Sequence, residues 1–321
     1  MKRLMLAIFL VFPLVVSAAP MGILVASYFD PPGTDWNGLI WAASRVPLIA
    51  IANPYDGPGP QQYPYYVTGI NNLRAAGAKV IGYVYTKYAT LDTNTVCKDI
   101  DNFFAFYTID GIFLDTMTSD NDTNHFNYYA GLYQYIQTKG TNLLVVGNPG
   151  TTTQEAYLTR PGADLVMTFE SDTGYSNYVA DAWVTNHLAR QFCHLPYAIT
   201  NVSTMTNFVN FAASRNAGWI YITDGGGANP YGTLPSYWTN EVEYVRSLNL
   251  AQPATQLKVL TVSNRVTSLQ ITGAAGVYEL QASTNLANWS VVTTANTATS
   301  TLLLKDADAT NYARRFYRTR Q

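Results

Sequence analysis

The stretch GIFLDTMTSD, residues 111–120, runs from apolar side chains directly into the carboxylate of Asp115 and then into a polar cluster. A short apolar run that ends at a carboxylate is typical of a buried parallel strand that delivers one side chain to a surface. The pattern therefore predicts a strand over 111–116 with Asp115 at its carboxyl end.

Further apolar runs recur along the chain, separated by helix-length intervals. They read GILVASYF (22–29), PLIAIANP (47–54), KVIGYVYT (79–86), NLLVVGNPG (142–150), DLVMTFES (164–171), HLPYAITNV (194–202) and GWIYITDG (218–225). The intervals hold amphipathic segments, such as 65–77, 95–107 and 127–140, which predict helices. Eight strands that alternate with helices over about 230 residues predict an α/β fold, a (β/α)₈ TIM barrel. A doubly wound open sheet is the alternative, but no Gly-rich phosphate turn follows the first strand.

Both ends of the chain depart from this pattern. Residues 1–19 carry Lys2 and Arg3 before an apolar stretch and then small residues, which predicts a signal peptide and a secreted protein, extracellular or periplasmic. A membrane anchor is the rival interpretation, for which the stretch is short, and no later segment is suited to span a membrane. The barrel would then occupy 20–250. A linker at 251–256 and a small antiparallel β-sandwich over 257–321 would follow it.

Charge differs between the two predicted domains. Residues 20–252 hold 10 Lys and Arg against 18 Asp and Glu, whereas residues 253–321 hold 7 against 3. An acidic barrel disfavours nucleic acid and suits a cationic polymer, although a solvated acidic surface explains the same counts. Cys97 and Cys193 fall near opposite ends of the predicted barrel, which predicts that the two thiols are unpaired.

Polar and aromatic side chains stand at the carboxyl ends of the predicted strands, where a (β/α)₈ barrel builds its active site. Two of them, Asp115 and Glu170, lie two strands apart, and paired carboxylates without a metal motif are the equipment of glycoside hydrolysis. We therefore predict Asp115 and Glu170 as catalytic residues, with no metal and no cofactor. The predicted substrate-binding residues are Tyr28, Asp30, Asn53, Tyr83, Tyr85, Asn148, Tyr221 and Asp224.

Several of these residues also have a purely structural interpretation. Asp115 would serve equally as a cap for the next helix. Asp224 precedes three glycines, which favours a turn, and Asn53 and Asn148 each precede a proline, which fits loop shaping as well as ligand contact. The stretch DNDTN (120–124) begins like a calcium loop but lacks its later glycine and glutamate, so it predicts the start of a helix instead.

The barrel resembles the spherulin-4-like proteins, a family of secreted glycoside hydrolases. The matching stretches fall in the family's order over 22–171, with weaker agreement to about 250. They are GILVASYF, IANPYDGPGP (51–60), VIGYVYTKY (80–88), DIDNFFAFYTIDGIFLD (99–115), VVGNPGT (145–151) and MTFES (167–171). The C-terminal segment resembles β-sandwich modules at the C-termini of secreted bacterial proteins, which implies cell-surface attachment or accessory packing.

The family resemblance implies endo-cleavage of α-1,4-linked galactosamine or N-acetylgalactosamine polymers, with Asp115 and Glu170 as the catalytic residues. The family pattern often has Glu directly after the aspartate, where this chain has Thr116. Two hypotheses of different classes follow. The first is a secreted glycosidase, whose glycan the loops would determine. The second is a carbohydrate-binding or cell-surface protein that uses the same barrel without catalysis.

Overall fold

The computed structural model describes residues 15–17, 20–251, 254–263, 266–274, 276–297 and 299–320. The rest of the predicted signal peptide (1–14 and 18–19) and part of the predicted linker (252–253) lie outside these residues. The chain divides into two compact units, one formed by Met21–Val184 with Arg190–Asn249 and the other by the remaining residues. The first described element, the short strand β1 (Val15–Ser17), belongs to the second unit.

Eight parallel strands close into the predicted barrel in the first unit. They are β2 (Gly22–Ser27), β3 (Leu48–Ala52), β4 (Lys79–Tyr85), β5 (Gly111–Asp115), β6 (Leu144–Gly147), β7 (Leu165–Ser171), β8 (Phe192–Pro196) and β9 (Trp219–Ile220). Every residue of β2 and β3 is buried. Their near-continuous apolar sequences are therefore those of strands covered on both faces.

Helices follow most of the strands. They are α1 (Thr34–Ala43), α2 (Pro64–Ala75), α3 (Thr93–Phe106), α4 (Thr123–Gln137), α5 (Ala156–Thr159), α6 (Val202–Ser214) and α7 (Trp238–Ala251). Side chains cap three of these helices: Asp92 and Asp122 each accept one backbone N–H, and Asn201 accepts two. The stretch DNDTN is accordingly the start of α4, as predicted.

Two strands end farthest from their predicted bounds. The seventh barrel strand ends at Pro196, because Asn201 begins α6 instead of continuing the strand. The eighth has only two residues in place of 218–225. The chain leaves it toward α7, where the N–H of Ile222 donates to the carboxylate of Glu241 at 2.9 Å. Glu241 is fully buried, and burial raises the pKa of its carboxyl group to about 8.

Strand β9 nevertheless closes the barrel. Trp219 pairs with Gly22 of β2 and with Cys193 of β8, and the N–H of Gly22 donates to the Gly218 carbonyl at 2.8 Å. A Cβ atom on Gly22 would lie 2.3 Å from the Trp219 ring, so this position requires glycine.

Aspartates tie the amino ends of β5 and β7 to the neighbouring strands, in an arrangement we call the amino-end clamps. The N–H of Asp110 donates to the Val80 carbonyl at 2.7 Å, and its carboxylate accepts the Val80 N–H at 2.8 Å. Asp164 repeats both bonds with Val145, each at 2.8 Å. Arg74 adds two hydrogen bonds to Asp110, at 2.9 and 2.8 Å.

The second unit holds two antiparallel sheets, as the alternating C-terminal sequence predicts. Its strands beyond β1 are β10 (Ala254–Ser263), β11 (Val266–Thr272), β12 (Gly276–Ser283), β13 (Ser290–Thr297), β14 (Thr301–Asp306) and β15 (Phe316–Arg320). The sheet orders are β1-β10-β11-β14 and β13-β12-β15. Leu269, Ile271 and Leu304 of the first sheet share one core with Tyr278 and Leu280 of the second.

Two further predictions concern the whole chain. Cys97 in α3 and Cys193 in β8 are both free, as predicted. Over the described ranges, no helix combines the length and the apolar character needed to cross a membrane.

Candidate active site

A cleft of about 1000 Å³ opens at the carboxyl ends of the barrel strands. This is the end at which barrels of this type carry their active sites. Most of the predicted site residues line it, namely Tyr28, Asp30, Asn53, Tyr83, Asp115, Asn148 and Glu170. The strand ends thus bring together both predicted catalytic carboxylates and most of the predicted binding residues.

One amide group joins the two carboxylates. The side-chain nitrogen of Asn148, at the end of β6, donates to Asp115 at 2.9 Å and to Glu170 at 2.7 Å. Laid end to end, these bonds span about 5.6 Å, so the two carboxylate oxygens lie no farther apart than that. Because both partners are acceptors, the atom between them must be the NH₂ group. The other side-chain atom of Asn148, Oδ1, is buried without a hydrogen-bond partner among the described residues.

Two tyrosines donate to the remaining carboxylate oxygens. The hydroxyl of Tyr83 donates to Asp115 at 2.7 Å, and that of Tyr231 donates to Glu170 at 2.5 Å. Tyr28 stands edge-on to both tyrosine rings, with centroids 5.6 Å away in each case. Carboxylates, amide and tyrosines therefore form a closed ring of contacts, which holds the two acids in fixed orientations.

The environment of Glu170 shifts the pKa of its carboxyl group upward. Burial raises the pKa of its carboxyl group above the usual value of 4.5, although the bonds from Tyr231 and Asn148 oppose the rise, and the charge of Asp115 adds to it. Burial and the nearby carboxylates also raise the pKa of Tyr28, Tyr83 and Tyr231. The tyrosines therefore remain hydrogen-bond donors at neutral pH.

The lining of the cleft is acidic. Asp30, Asp56, Asp115 and Glu170 contribute carboxylates, and none of the described lining residues is Lys, Arg or His. Nowhere in the described part of the chain do three or more His, Cys, Asp or Glu side chains group so as to hold a metal ion. The charge of the cleft suits a neutral or cationic ligand.

Three predicted binding residues lie outside this lining. Tyr221 is fully buried and packs against Tyr231 and Trp238. Asp224 accepts hydrogen bonds from the backbone and side chain of Ser236, so it shapes the loop before α7. Tyr85 is exposed at the end of β4.

The sequence analysis did not include several lining residues, chiefly Tyr231, Tyr197, Tyr55, Asp56 and Tyr88. Tyr231 is the most consequential, because its hydroxyl contacts a predicted catalytic carboxylate. A signal for it exists: the tetrapeptide Ala-Asn-Pro-Tyr occurs at 52–55, starting at the last residue of β3, and again at 228–231. Both copies contribute to the cleft.

Thr116 has an unusual backbone conformation. Its φ is +50°, which a β-branched residue rarely adopts. Its hydroxyl donates to the carbonyl of Asp115 at 2.7 Å and accepts the backbone N–H of Lys87 at 2.9 Å. The side chain thus binds the loop after β4 while Thr116 still contributes to the lining of the cleft.

Known proteins are similar to this chain in fold and in sequence. Sph3 of Aspergillus clavatus, whose crystal structure is in complex with GalNAc, superposes with a TM-score of 0.62 at 22% identity, covering 71% of this chain and 98% of that one. The likeness shows that the two chains share the barrel fold. Spherulin-4 of Physarum polycephalum is 32% identical over 247 residues, which are 73% of this chain and 72% of that protein.

The family model named spherulation-specific family 4 matches residues 22–245, which include all eight barrel strands and the whole lining of the cleft. Since the match spans well over half of the sequence, the chain belongs to spherulation-specific family 4.

Proposed function

We propose that the protein is a secreted glycoside hydrolase that cleaves within α-1,4-linked galactosamine or N-acetylgalactosamine polysaccharides. The observation that carries the proposal is the pair of carboxylates, Asp115 and Glu170, held by one amide group at the mouth of the barrel. Two carboxyl groups on either side of a scissile bond are the usual equipment for hydrolysis of a glycosidic bond.

The roles of the two acids follow from their surroundings. Glu170, whose pKa is raised, is the general acid that protonates the glycosidic oxygen as the bond to the anomeric carbon breaks. Asp115 is the nucleophile whose oxygen attacks that carbon and forms a glycosyl ester. Glu170, now ionised, then takes a proton from a water molecule that attacks the same carbon and releases Asp115.

The spacing supports this two-step, retaining route. Retaining glycosidases hold their carboxyl groups about 5–5.5 Å apart, whereas inverting enzymes leave about 6.5–9.5 Å for a water molecule. The two oxygens that share the Asn148 donor lie no farther apart than about 5.6 Å, which favours the shorter, retaining separation.

The substrate class rests on charge and on kinship. Four carboxylates without a lining cation favour a cationic amino-sugar polymer. The GalNAc bound to Sph3 supports the same sugar. Secretion, through a signal peptide at 1–19, would bring the protein to such polymers, and the β-sandwich would serve attachment or accessory packing.

The test is digestion of partially deacetylated α-1,4-galactosaminan by the secreted protein and by its Glu170→Gln variant. Oligosaccharides released by the wild type alone, identified by mass spectrometry, are the expected result. Proton NMR of the first products should show the α-anomer, as retention requires.

A polymer that is retained but never cut would reject the hydrolase and favour the carbohydrate-binding alternative. The observation behind that alternative is Thr116, which stands where the family pattern often has a glutamate.

A further inference from the structure

The loop after β4 has a costly backbone conformation. Three consecutive residues that are not glycine, Lys87, Tyr88 and Ala89, have φ of +49°, +54° and +59°. A left-handed residue of this kind is unfavourable, and it persists only where the surrounding structure holds it.

Thr116 holds it. The N–H of Lys87 donates to the Thr116 hydroxyl at 2.9 Å, and the N–H of Tyr88 donates to the Thr116 carbonyl at 2.8 Å. The same hydroxyl donates to the Asp115 carbonyl at 2.7 Å. Two successive N–H groups of the loop therefore donate to Thr116, the residue that follows the proposed nucleophile.

The loop presents Tyr88 to the cleft. Its side chain is 57% exposed, yet it lines the same cleft as Asp115 and Glu170. A large apolar ring that is left in solvent on an immobilised backbone is suited to stack on the apolar face of a pyranose, because little conformational entropy remains to be lost on binding.

We propose that Tyr88 is a sugar-stacking residue of the cleft and that Thr116 is the positioning residue that holds it there. The proposal deepens the proposed function and rests on it for the ligand class. Thr116 is then not a lost carboxylate. A hydroxyl both donates and accepts, whereas an ionised glutamate only accepts and would face the Asp115 carbonyl without a donor.

The first experiment measures binding of an α-1,4-galactosamine hexasaccharide by calorimetry, in the Glu170→Gln background so that nothing is cleaved. Tyr88→Ala should weaken the affinity about tenfold, the scale of one aromatic contact. Tyr88→Phe, which keeps a ring, should restore it. Tyr65→Ala is the matched control, because Tyr65 is a 39% exposed tyrosine on α2 that does not line the cleft.

The second experiment tests the positioning role. Thr116→Val, which lacks the hydroxyl, should weaken the affinity as Tyr88→Ala does, and Thr116→Ser should restore it. The double variant Thr116→Val/Tyr88→Ala should bind no worse than Tyr88→Ala. When two residues act through one contact, the losses of affinity from their substitutions do not add. Additive losses would overturn the positioning role. In the otherwise wild-type enzyme, a large gain in kcat for Thr116→Glu would overturn it as well.

These outcomes separate the inference from the proposed function. A wild type that does not cleave while the hexasaccharide binds through Tyr88 would reject the hydrolase and keep the inference. A wild type that cleaves while Tyr88→Ala binds normally would do the reverse. If the Glu170→Gln reference does not bind the hexasaccharide, the inference is overturned. This outcome does not depend on whether the Thr116 variants fold.

Discussion

Strands β5 and β7 each have a carboxylate at or next to both ends, and the hydrogen-bond donors that contact it differ between the two ends. At the amino ends, Asp110 and Asp164 bind backbone N–H groups of the neighbouring strands, and Arg74 also neutralises Asp110. At the carboxyl ends, the donors that the described residues offer to Asp115 and Glu170 are the neutral groups of Asn148 and two tyrosines.

The pKa values diverge accordingly. Burial alone would raise the pKa of Asp110, but bonds from Arg74 and the Val80 N–H lower it below the usual 3.8. Burial raises the pKa of Glu170 in spite of its two donors. The comparison teaches that donors and burial together set the pKa of a carboxyl group: a cation and a backbone amide outweigh burial at Asp110, whereas the neutral donors at Glu170 do not.

The largest expected effect separates the two ends of β5. Asp115→Asn should lower kcat about a thousandfold or more, because it removes the nucleophile. Asp110→Asn, only five positions earlier, should leave kcat per folded molecule unchanged. Kinetics on the hexasaccharide, with the folded fraction measured by circular dichroism, would check this. Equal losses of kcat per folded molecule in both variants would contradict the difference between the two strand ends.

Stability should respond in the opposite sense. Asp110→Asn removes the charge that pairs with Arg74 and sets an NH₂ group against the guanidinium in place of one acceptor oxygen, so at pH 7 it should lower the free energy of unfolding by about 1–3 kcal/mol. Glu170→Gln should raise it, since the ionised form of a group with a raised pKa is disfavoured in the folded state.

The pH dependence of these differences has a defined sign. The contribution of Asp110 is present above its unfolded pKa and is lost as the pH falls through the lowered folded value. The penalty from Glu170 is absent below its unfolded pKa and is complete once the pH has risen through the raised folded value. Urea unfolding at pH 7 and at about pH 3 should therefore show both differences shrinking in acid. A Glu170→Gln variant that is less stable than wild type at pH 7 would contradict the second statement.

A smaller effect is expected from the tyrosine that donates to Glu170. Tyr231→Phe removes a bond that lowers the pKa of Glu170, so the pKa should rise and the basic limb of the pH profile of kcat/KM should move to higher pH. The rate at the optimum should fall about tenfold. Tyr237→Phe is a matched control, because it also loses a 2.5 Å hydroxyl bond, to the carbonyl of Ile199, without contacting either carboxylate. If the pH profile of kcat/KM shifts equally in both variants, Tyr231 does not set the pKa of Glu170 through this hydrogen bond.

The smallest effect is expected from a tyrosine-to-phenylalanine substitution at the amino ends of the strands. Tyr133 donates to Asp164 at 2.9 Å. Tyr133→Phe should lower the free energy of unfolding by about 0.5–1.5 kcal/mol and leave the pH profile unchanged. A displaced profile would mean that the amino-end clamps act on the chemistry as well as on the fold.

The sequence predicted the barrel well because strands such as β2 and β3 are buried throughout, and continuous burial leaves a continuous apolar run. The sequence predicted β9 to be longer than it is, because buried residues continue beyond the end of that strand. Tyr221 and Ile222 remain fully buried after the strand has ended, because α7 covers them, so apolar character does not mark where the strand ends.

The site shows the same limit. Asp115, Asn148 and Glu170 end or directly follow strands, so strand prediction alone brought them to one face. Tyr231 lies on a loop eleven positions beyond the end of β9, where no periodicity reports on position. The bond from Tyr231 to Glu170 depends on how that loop folds back, which only the structure reveals.

The two-residue strand β9 has a consequence for how the chain is made. The first barrel strand closes only against Trp219 and Ile220, almost two hundred positions later in the sequence. During synthesis the ring of hydrogen bonds stays open until these residues have left the ribosome, so the barrel is completed after translation of nearly all of that unit. In the finished protein this short seam should be the first part of the ring to exchange its amide hydrogens with solvent.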